Sequence, residues 1–406
     1  MRCDAAIIER CRMGVTEAQE ALDEGQLDGS EKRVAPLELF FDLVFVFALT
    51  QVTYLMAENP TWEGLGQGML VLAALWWAWA AYAWLTNYID ADQDLERLLM
   101  FAAMGAMLVS ALAAPNAFGD DSVLFGIAYA VVRLLHIFIF AEANDDVDTA
   151  GAIRVLARSA LPAPFLILAA GFTEGSVQAA LWIVALTIDF AGPFVFGVRG
   201  FKVAAGHFAE RFALILIIAL GESIVAIGAG IQGADVDAGL VLAAVFVMVL
   251  AAAMWWAYFD VVAIVAERRF SHTSGYARAR MARDSYSYLH LFMVAGIVLV
   301  ALGIKKTVGH VDEPLKTVPG AALFGGLALY YGGHVAFRLR NVHTLSRQRV
   351  LAALICLALI PFATEVDSIV ALGVAAGIST TLIIYEALHL AEARRRIRRA
   401  SAHPGG

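Results

Sequence analysis

Residues 38–51 read Glu38-Leu-Phe-Phe-Asp42-Leu-Val-Phe-Val-Phe-Ala-Leu-Thr50-Gln51, an apolar helical pattern that carries two carboxylates. Residues 210–223 read Glu210-Arg-Phe-Ala-Leu-Ile-Leu-Ile-Ile-Ala-Leu-Gly-Glu222-Ser223, and they align with the first stretch without a gap. Ionisable groups inside lipid are costly and are kept mainly where a bundle interior or a wet cavity needs them. The two stretches therefore indicate a polar interior that the chain builds twice.

The composition is that of a polytopic membrane protein. The 406 residues are 60% hydrophobic and 16% charged, with a mean hydropathy of +0.72. Soluble domains average about 45–50% apolar and about 25% charged residues. The net charge of −8 gives no indication of nucleic-acid binding, and the three cysteines have no metal or disulfide spacing. No nucleic-acid partner and no cofactor are expected.

Apolar runs of the length that a bilayer requires recur throughout the chain. They predict an all-α fold with about twelve transmembrane helices, preceded by a cytosolic tail over 1–35 and followed by a basic cytosolic tail over 391–406. The predicted spans lie near 36–56, 66–87, 95–114, 122–140, 155–172, 177–198, 208–229, 238–259, 285–303, 318–337, 349–363 and 367–390.

The distribution of Lys and Arg predicts the orientation of the chain. The loops after spans 1, 3, 5, 7 and 11 contain neither residue, whereas the loops after even-numbered spans and both tails hold nearly all of them. Basic residues accumulate on the cytoplasmic side of membrane proteins. Both termini are therefore expected in the cytosol.

The repeat extends beyond its first helix. Span 2 carries Trp76-Trp77-Ala-Trp79 and span 8 carries Trp255-Trp256-Ala-Tyr258. The pattern predicts two six-helix units over 36–198 and 208–390. Because six is an even number, the units would share one orientation, as in transporters with parallel repeats.

Two charged groups are expected at similar depth near the cytosolic face. Asp42 on span 1 lies about 9 Å from that end of its helix and Arg133 on span 4 about 10 Å, which makes them a candidate ion pair. The same pair would equally serve to fix helix packing without any transport role. His136 lies on the same helical face as Arg133, with a role in packing or in pH sensing.

Glu222 and Ser223 lie deeper, and no basic residue is predicted at that depth. A carboxylate there would be desolvated and would keep its proton near neutrality, as in a proton relay or a cation site. The alternative is a neutral Glu222 bonded to a backbone carbonyl. Thr50 and Gln51 should face the same zone from the first unit.

The remaining candidates for a polar pathway are Asp189, Glu210 and Arg211. Asp189 precedes Gly192-Pro193, where a broken helix could expose carbonyl groups. Glu210 and Arg211 open the second charged stretch. The Glu386-x-x-His389 spacing lacks the partner motifs of a carboxylate-bridged metal centre, so no metal site is expected.

At these residues the chain resembles the bacterial low temperature requirement A family. The matching segments are Pro36-Leu-Glu-Leu-Phe-Phe-Asp42, Trp76-Trp77-Ala-Trp79, Arg133-Leu-Leu-His136 and His207-Phe-Ala-Glu-Arg211 with Gly221-Glu-Ser223. The resemblance implies a multi-spanning protein of the bacterial inner membrane, named for a cold-growth phenotype. It brings no established substrate or reaction.

A fainter similarity concerns span 1 alone. Phe40-x-Asp42-x-Val44-Phe45-x-x-Ala48-x-Thr50 is similar to the first-helix signature of potassium channels marked by Phe-Ser-Asp. The resemblance implies that spans 1 and 7 line a central path. Phe41 stands where those channels have serine, and span 7 keeps little of the pattern.

The leading functional hypothesis is a channel or proton-coupled transporter of an ion or small solute along spans 1 and 7. Its partners would be membrane lipids and a cation or proton, and the sequence is compatible with a homo-oligomer. A second hypothesis is a membrane-embedded enzyme acting on lipid or isoprenoid substrates, with acid and base from the histidines 136, 290 and 334, Asp260 and Glu386. A third is a non-catalytic cold-stress factor in which the charges only specify packing.

Overall fold

The computed structural model describes residues 34–89, 94–142, 157–158, 160–231 and 236–389. Within these ranges the fold is all α-helical, and the only β contact is an isolated bridge between Pro314 and Asp367. The predicted fold class is therefore confirmed. The predicted basic tail and residues 1–33 of the N-terminal tail lie outside the described residues.

In the described part of the chain a helix occupies each of the twelve predicted spans, and these helices are labelled α1 to α12. Their bounds are α1 Pro36–Glu58, α2 Trp62–Leu85, α3 Asp94–Ala113, α4 Ser122–Glu142, α5 Pro162–Ala170, α6 Gly175–Val195, α7 Ala205–Gly230, α8 Ala238–Phe259, α9 His290–Gly309, α10 Thr317–Val342, α11 Arg347–Ala358 and α12 Ser368–His389. Short helices Val262–Ser271 and Gly275–Met281 follow α8, and a π-helical segment Ala282–Leu289 leads into α9.

Ten of the described helical segments are long and apolar enough to cross a membrane. The two helices outside this set, α5 and α10, are excluded for different reasons. Helix α5 has nine residues, and α10 has 26 residues but is rich in glycine and tyrosine and largely buried. The chain is thus a multi-pass integral membrane protein, and the full number of twelve spans stays a prediction.

Local sequence signals set several helix ends. Pro36 stands in the first turn of α1, where its missing N–H would have no helical partner. The Thr61 side chain accepts a hydrogen bond from Gly64 N at the start of α2, and Asp237 accepts one from Leu240 N at the start of α8. Such caps satisfy amide groups that a helix leaves free at its N-terminus.

Corresponding helices pack in the same pairs in the two halves. Helix α1 contacts α2 and α3 as α7 contacts α8 and α9, and α4 contacts α3 and α5 as α10 contacts α9 and α11. Helices α2 and α6 also pair, as do α8 and α12. Shared contact pairs do not define the relative orientation of the two halves, so the parallel repeat of six helices stays a prediction.

The two halves meet where α1 packs against α7 and α9. Polar contacts to the π-helical segment strengthen this boundary. The indole N–H groups of Trp76 and Trp84 on α2 donate to the backbone oxygen and hydroxyl of Ser287, at 2.8 and 2.9 Å. Arg283 Nη1 donates to Pro193 O at 2.9 Å, near the C-terminal end of α6, where carbonyl groups lack helical partners.

Glycines bring α9 and α10 into close contact. A Cβ atom added at Gly326 would lie 2.7 Å from Gly296 O and 2.9 Å from Leu299 Cβ. A Cβ added at Gly296 would lie 2.6 Å from Gly326 O. Small residues let helix backbones approach closely in membranes, where packing rather than hydrophobicity holds helices together. These two glycines therefore fix the distance between the helices.

We expect Gly326→Ala to lower the free energy of unfolding by about 1–3 kcal/mol, because the new methyl group overlaps the backbone of α9. Gly332→Ala is the matched control on the same helix, since nothing lies within 4 Å of an added Cβ there. It should be neutral or slightly stabilising. Denaturant unfolding of the purified protein in detergent measures both, and equal effects would contradict the close contact.

Candidate functional site

A buried ionic cluster joins α1 to α7. Arg211 on α7 donates from Nη1 to Glu38 Oε2 at 2.9 Å and from Nη2 to Asp42 Oδ1 at 2.8 Å. His207 Nε2 lies 2.8 Å from the same Glu38 oxygen, and Trp79 Nε1 on α2 donates to Asp42 Oδ1 at 2.8 Å. All five side chains are buried. We call this set the ionic cluster.

Helical spacing places these groups on facing surfaces. Glu38 and Asp42 are four residues apart on α1, and His207 and Arg211 are four residues apart on α7. Residues i and i+4 lie on one side of a helix. One acidic face therefore meets one basic face. The i, i+4 spacing was the signal that could have identified this cluster from sequence.

The ionic cluster is incompletely bonded. Among the described residues, Asp42 Oδ2, Arg211 Nε and His207 Nδ1 are buried without a hydrogen-bond partner. Two carboxylates face one guanidinium, so the cluster carries a formal charge of −1 when His207 is neutral. A buried polar atom without a partner is costly and calls for an explanation such as water or an ion.

The predicted ion pair between Asp42 and Arg133 is wrong. Arg133 Nη2 pairs instead with Asp189 Oδ1 on α6 at 2.7 Å, and Asp42 pairs with Arg211. Depth along a helix does not determine which neighbour a side chain faces. Helix α4 packs mainly against α2, α3 and α5, so its buried face meets other helices than α1.

Farther along α1, a second polar contact joins the same two helices. Thr50 Oγ1 donates to Glu222 Oε2 at 2.6 Å, and Glu222 is 2% exposed. The Thr53 hydroxyl on the next turn of α1 also interacts with the Glu222 carboxylate through a side-chain hydrogen bond. Thr50 and Glu222 thus meet across the two halves. Helical rise places Thr50 about 12 Å along α1 from Asp42.

Glu222 has a cationic neighbour that the sequence prediction missed. Lys305, near the C-terminal end of α9, interacts electrostatically with the Glu222 carboxylate, and its ammonium lies 4.8 Å from the centre of the Tyr54 ring. The expectation that no basic residue shares this depth is therefore wrong. Hydropathy locates each span separately, so it does not determine the depth of Lys305 on one helix relative to Glu222 on another.

The other candidates on these two helices occupy different surroundings. Ser223 is 1% exposed, and its hydroxyl is without a partner among the described residues. Gln51 is half-buried on α1. Glu210 is exposed, and it accepts a long hydrogen bond of 3.4 Å from Val34 N. Although Glu210 aligns with Glu38 in sequence, only Glu38 points into the interface.

Aromatic side chains separate the ionic cluster from the Thr50–Glu222 contact. Phe45 on α1, Trp76 on α2 and Phe212 on α7 are all fully buried. The Trp79 ring lies 5.9 Å from Phe45 and 5.0 Å from Phe212 between centroids, and Trp76 lies 6.0 Å from Phe212. The interface is therefore polar, then apolar, then polar along its length.

The Arg133–Asp189 pair belongs to a separate cavity between α2, α4 and α6. The cavity has a volume of about 90 Å³ and is lined by Arg133, His136 and Asp189 together with Trp77 and other residues. His136 is hydrogen-bonded to the carbonyl of Ala81. The structure therefore brings Arg133, His136 and Asp189 together, but away from the α1–α7 interface.

A comparable ion pair lies in the second half. Arg349 on α11 donates to both oxygens of Glu386 on α12, at 2.9 and 2.8 Å. Its Nη1 lies 3.0 Å from His334 Nδ1, and its Nη2 donates to Ala257 O. A cavity of about 270 Å³ adjoins Arg349 and Glu386.

Of the acid and base residues of the enzyme hypothesis, His136 lies apart from the other four. His136 lines the cavity of the first half, whereas His334 and Glu386 contact Arg349 in the second, where Asp260 and Glu386 line one cavity. His290 is bonded to the Tyr258 hydroxyl at 2.9 Å, and the Tyr258 ring also contacts His334. A centre that includes His136 is therefore not formed, and the enzyme hypothesis stays a prediction. Among the described residues, no group of three or more His, Cys, Asp or Glu side chains could hold a metal ion.

Comparisons with known proteins match most of the chain. Residues 33–384 match the family model of the bacterial low temperature requirement A protein. An uncharacterised protein of Rhizobium meliloti, RA0937, is 31% identical over 309 residues, which cover 73% of this chain and 75% of the relative. No solved structure matches the chain.

The ion pairing of the cluster can be tested with a double-mutant cycle. Arg211→Gln should lower the free energy of unfolding by about 3–5 kcal/mol, because it leaves the buried Glu38 and Asp42 without their cation, and Asp42→Asn should lower it less, because Arg211 keeps Glu38 as a partner. The double variant should lose clearly less than the sum of the two. Denaturant unfolding in detergent measures all three proteins.

Arg133→Gln provides the control cycle. Combined with Asp42→Asn, its effect should be additive to within about 0.5 kcal/mol, since the two residues belong to different ion pairs. Coupling between Asp42 and Arg133, with additivity between Asp42 and Arg211, would contradict the structure.

Proposed function

The chain belongs to the bacterial low temperature requirement A family, and we propose that it is a channel or proton-coupled transporter whose path follows the interface of α1 and α7. The observation that carries the proposal is the meeting of ionisable and polar side chains from these two helices at two depths. Arg211 binds Glu38 and Asp42 at one depth, and Thr50 binds Glu222 at the other. Ionisable residues inside membrane helices commonly mark ion and proton pathways.

The charges of the interface favour a cation or a proton as the transported species. The ionic cluster has a formal charge of −1 with neutral His207, and Asp42 Oδ2 is an acceptor without a partner among the described residues. Glu222 supplies a second carboxylate. An anion would meet repulsion at the ionic cluster, whereas a cation would be attracted there and Glu222 could take up a proton beside Lys305.

We infer that the proposed path is closed in this conformation. Phe45, Trp76 and Phe212 are buried between the two polar regions, so a continuous polar surface between them is not expected. Hydrophobic constrictions close other channels by excluding water. Transport would therefore require these aromatic side chains to move apart, and the α1–α7 contact is where the two halves could separate.

The duplicated architecture gives this path a structural basis. We propose that the two halves are parallel six-helix repeats, since the same helix pairs pack in each half. In parallel-repeat transporters the substrate site lies at the boundary between repeats. Helices α1 and α7 are the first helices of the two units and face each other at this boundary. A bacterial family with apolar helical spans also favours the inner membrane as its location.

Glu222→Gln tests the proposed path. We expect this variant to lose most cation or proton flux in proteoliposomes, because the amide keeps the size of the side chain but cannot carry a negative charge or release a proton. A pH-sensitive dye and potassium- and sodium-sensitive dyes measure the flux. Glu210→Gln is the matched control, since it makes the same chemical change at an exposed position of the same helix.

The control should retain the flux of the parent protein. Absence of flux for protons, potassium and sodium in the parent, or equal flux in the parent and in Glu222→Gln, would contradict the proposal. In that case the buried charges would serve only to hold the helices together.

A further inference from the structure

We propose that the cavity between α2, α4 and α6 is a second ligand site, separate from the α1–α7 path, for a small carboxylate with a hydroxyl or ammonium group on the adjacent carbon. The polar side chains that line it are Arg133, His136, Asp189, Arg283 and Ser287, and the indoles of Trp77 and Trp84 form part of its wall. The α1–α7 path does not require any of these five polar side chains.

Arg133 offers hydrogen-bond donors that the protein does not use. Its side chain is buried, with 1% of the residue exposed, and only Nη2 is engaged, in the 2.7 Å bond to Asp189 Oδ1. Nε and Nη1 are without acceptors among the described residues. A guanidinium normally presents five N–H groups and is well suited to bind carboxylates. The unused donors therefore indicate an oxyanion in the cavity.

The same cavity also offers an unused acceptor. His136 Nδ1 is buried and without a partner within the described residues, whereas the Asp189 carboxylate interacts with Trp77 and Tyr129 as well as with Arg133. His136 bonds the Ala81 carbonyl through its ring, which leaves the other ring nitrogen as an acceptor when the imidazole is neutral. Chloride or acetate would satisfy Arg133 alone, and a simple donor would satisfy His136 alone. A ligand that has an oxyanion and a donor on one small framework satisfies both.

Charge and size narrow the ligand further. Arg133 is paired with Asp189, and Arg283 is paired with Asp284, whose carboxylate also binds Arg340, so these five groups keep a formal charge of +1, which favours a monoanion or a zwitterion over a cation. Benzene, with six non-hydrogen atoms, fits a cavity of about 150 Å³, so the 90 Å³ here encloses about four such atoms. Glycine and lactate carry both kinds of polar group and are slightly larger, so they would extend through the open side of the cavity.

The second half contains an arginine whose three nitrogens are all bonded. Arg349 engages Nε, Nη1 and Nη2 with Glu386, His334 and Ala257 O. It therefore uses four of its five N–H groups within the protein, although a cavity lies beside it. The contrast indicates that the free donors of Arg133 are specific to the first cavity.

Calorimetric titration of the purified full chain in nanodiscs tests this site. The probes are glycine and lactate, which combine the two functions, with acetate and methylammonium as single-function controls. We expect glycine or lactate to saturate one site with a Kd about tenfold or more below that of acetate, because acetate leaves His136 Nδ1 unbonded. Methylammonium should not bind measurably.

Two variants locate the binding in this cavity. Arg133→Lys keeps a positive partner for Asp189 but removes the extra directional donors, and it should weaken binding about tenfold. Ala80→Leu leaves every charge in place and fills the cavity, so it should abolish binding even if the lysine variant folds poorly. Arg338→Lys is the matched control, because Arg338 lines the cavity of the other half.

Binding that is lost in Ala80→Leu and retained in Arg338→Lys would support the site. Three results would overturn the proposal: no saturable binding of either glycine or lactate, equal affinity for acetate, or unchanged binding in Ala80→Leu. Several ordered waters would then satisfy the polar atoms of the cavity. The titration does not depend on ion flux, so its outcome is independent of the proposed path.

Discussion

The contact on which the two halves depend is the Arg211 guanidinium held between Glu38 and Asp42. A guanidinium buried inside a membrane bundle loses its hydration, and it is tolerated only when carboxylates replace that hydration. Arg211 is 0% exposed, and both of its acidic partners come from α1 of the opposite half. Neither helix could keep its charges buried without the other. The ion pairs therefore fix the register of α1 against α7.

This arrangement also explains how one interface can hold two helices together and still serve as the proposed transport path. The ion pairs and aromatic packing hold α1 and α7 together, while unbonded atoms at Asp42 and His207 leave capacity for a further partner. Beyond the aromatic layer, Thr50 and Glu222 form a smaller contact with Lys305 nearby. A species that moved along the interface would pass from one carboxylate region to the other by displacing side chains rather than backbone.

The fold and the Thr50–Glu222 contact between the halves followed from sequence because they depend on pattern. Apolar runs determine where helices lie, and the aligned stretches placed Thr50 and Glu222 in one zone, where the structure joins them. The partners of Asp42 and Arg133 could not be obtained in this way, because hydropathy gives depth but not the rotation of a helix about its axis.

The residues that sequence analysis missed were missed for one physical reason. His207, Trp79 and Lys305 bind or contact side chains on other helices. Their local sequence does not distinguish them from ordinary packing residues or from basic residues at the ends of loops. Only the i, i+4 spacing of His207 and Arg211 carried a signal. The free donors of Arg133 are likewise visible only once its single carboxylate partner on α6 is known.

The central claim is that water or an ion reaches the α1–α7 interface beside Glu222, and thiol accessibility at Ser223 tests it most directly. Ser223→Cys, in a chain whose three native cysteines are replaced, would be treated with a small cationic methanethiosulfonate in liposomes, beside Ala48→Cys in the apolar core of α1. The account predicts that the cysteine at 223 reacts at least about tenfold faster, since thiol modification requires access to the thiolate. Equal, negligible reaction at both positions would show a dry interface and would contradict the account.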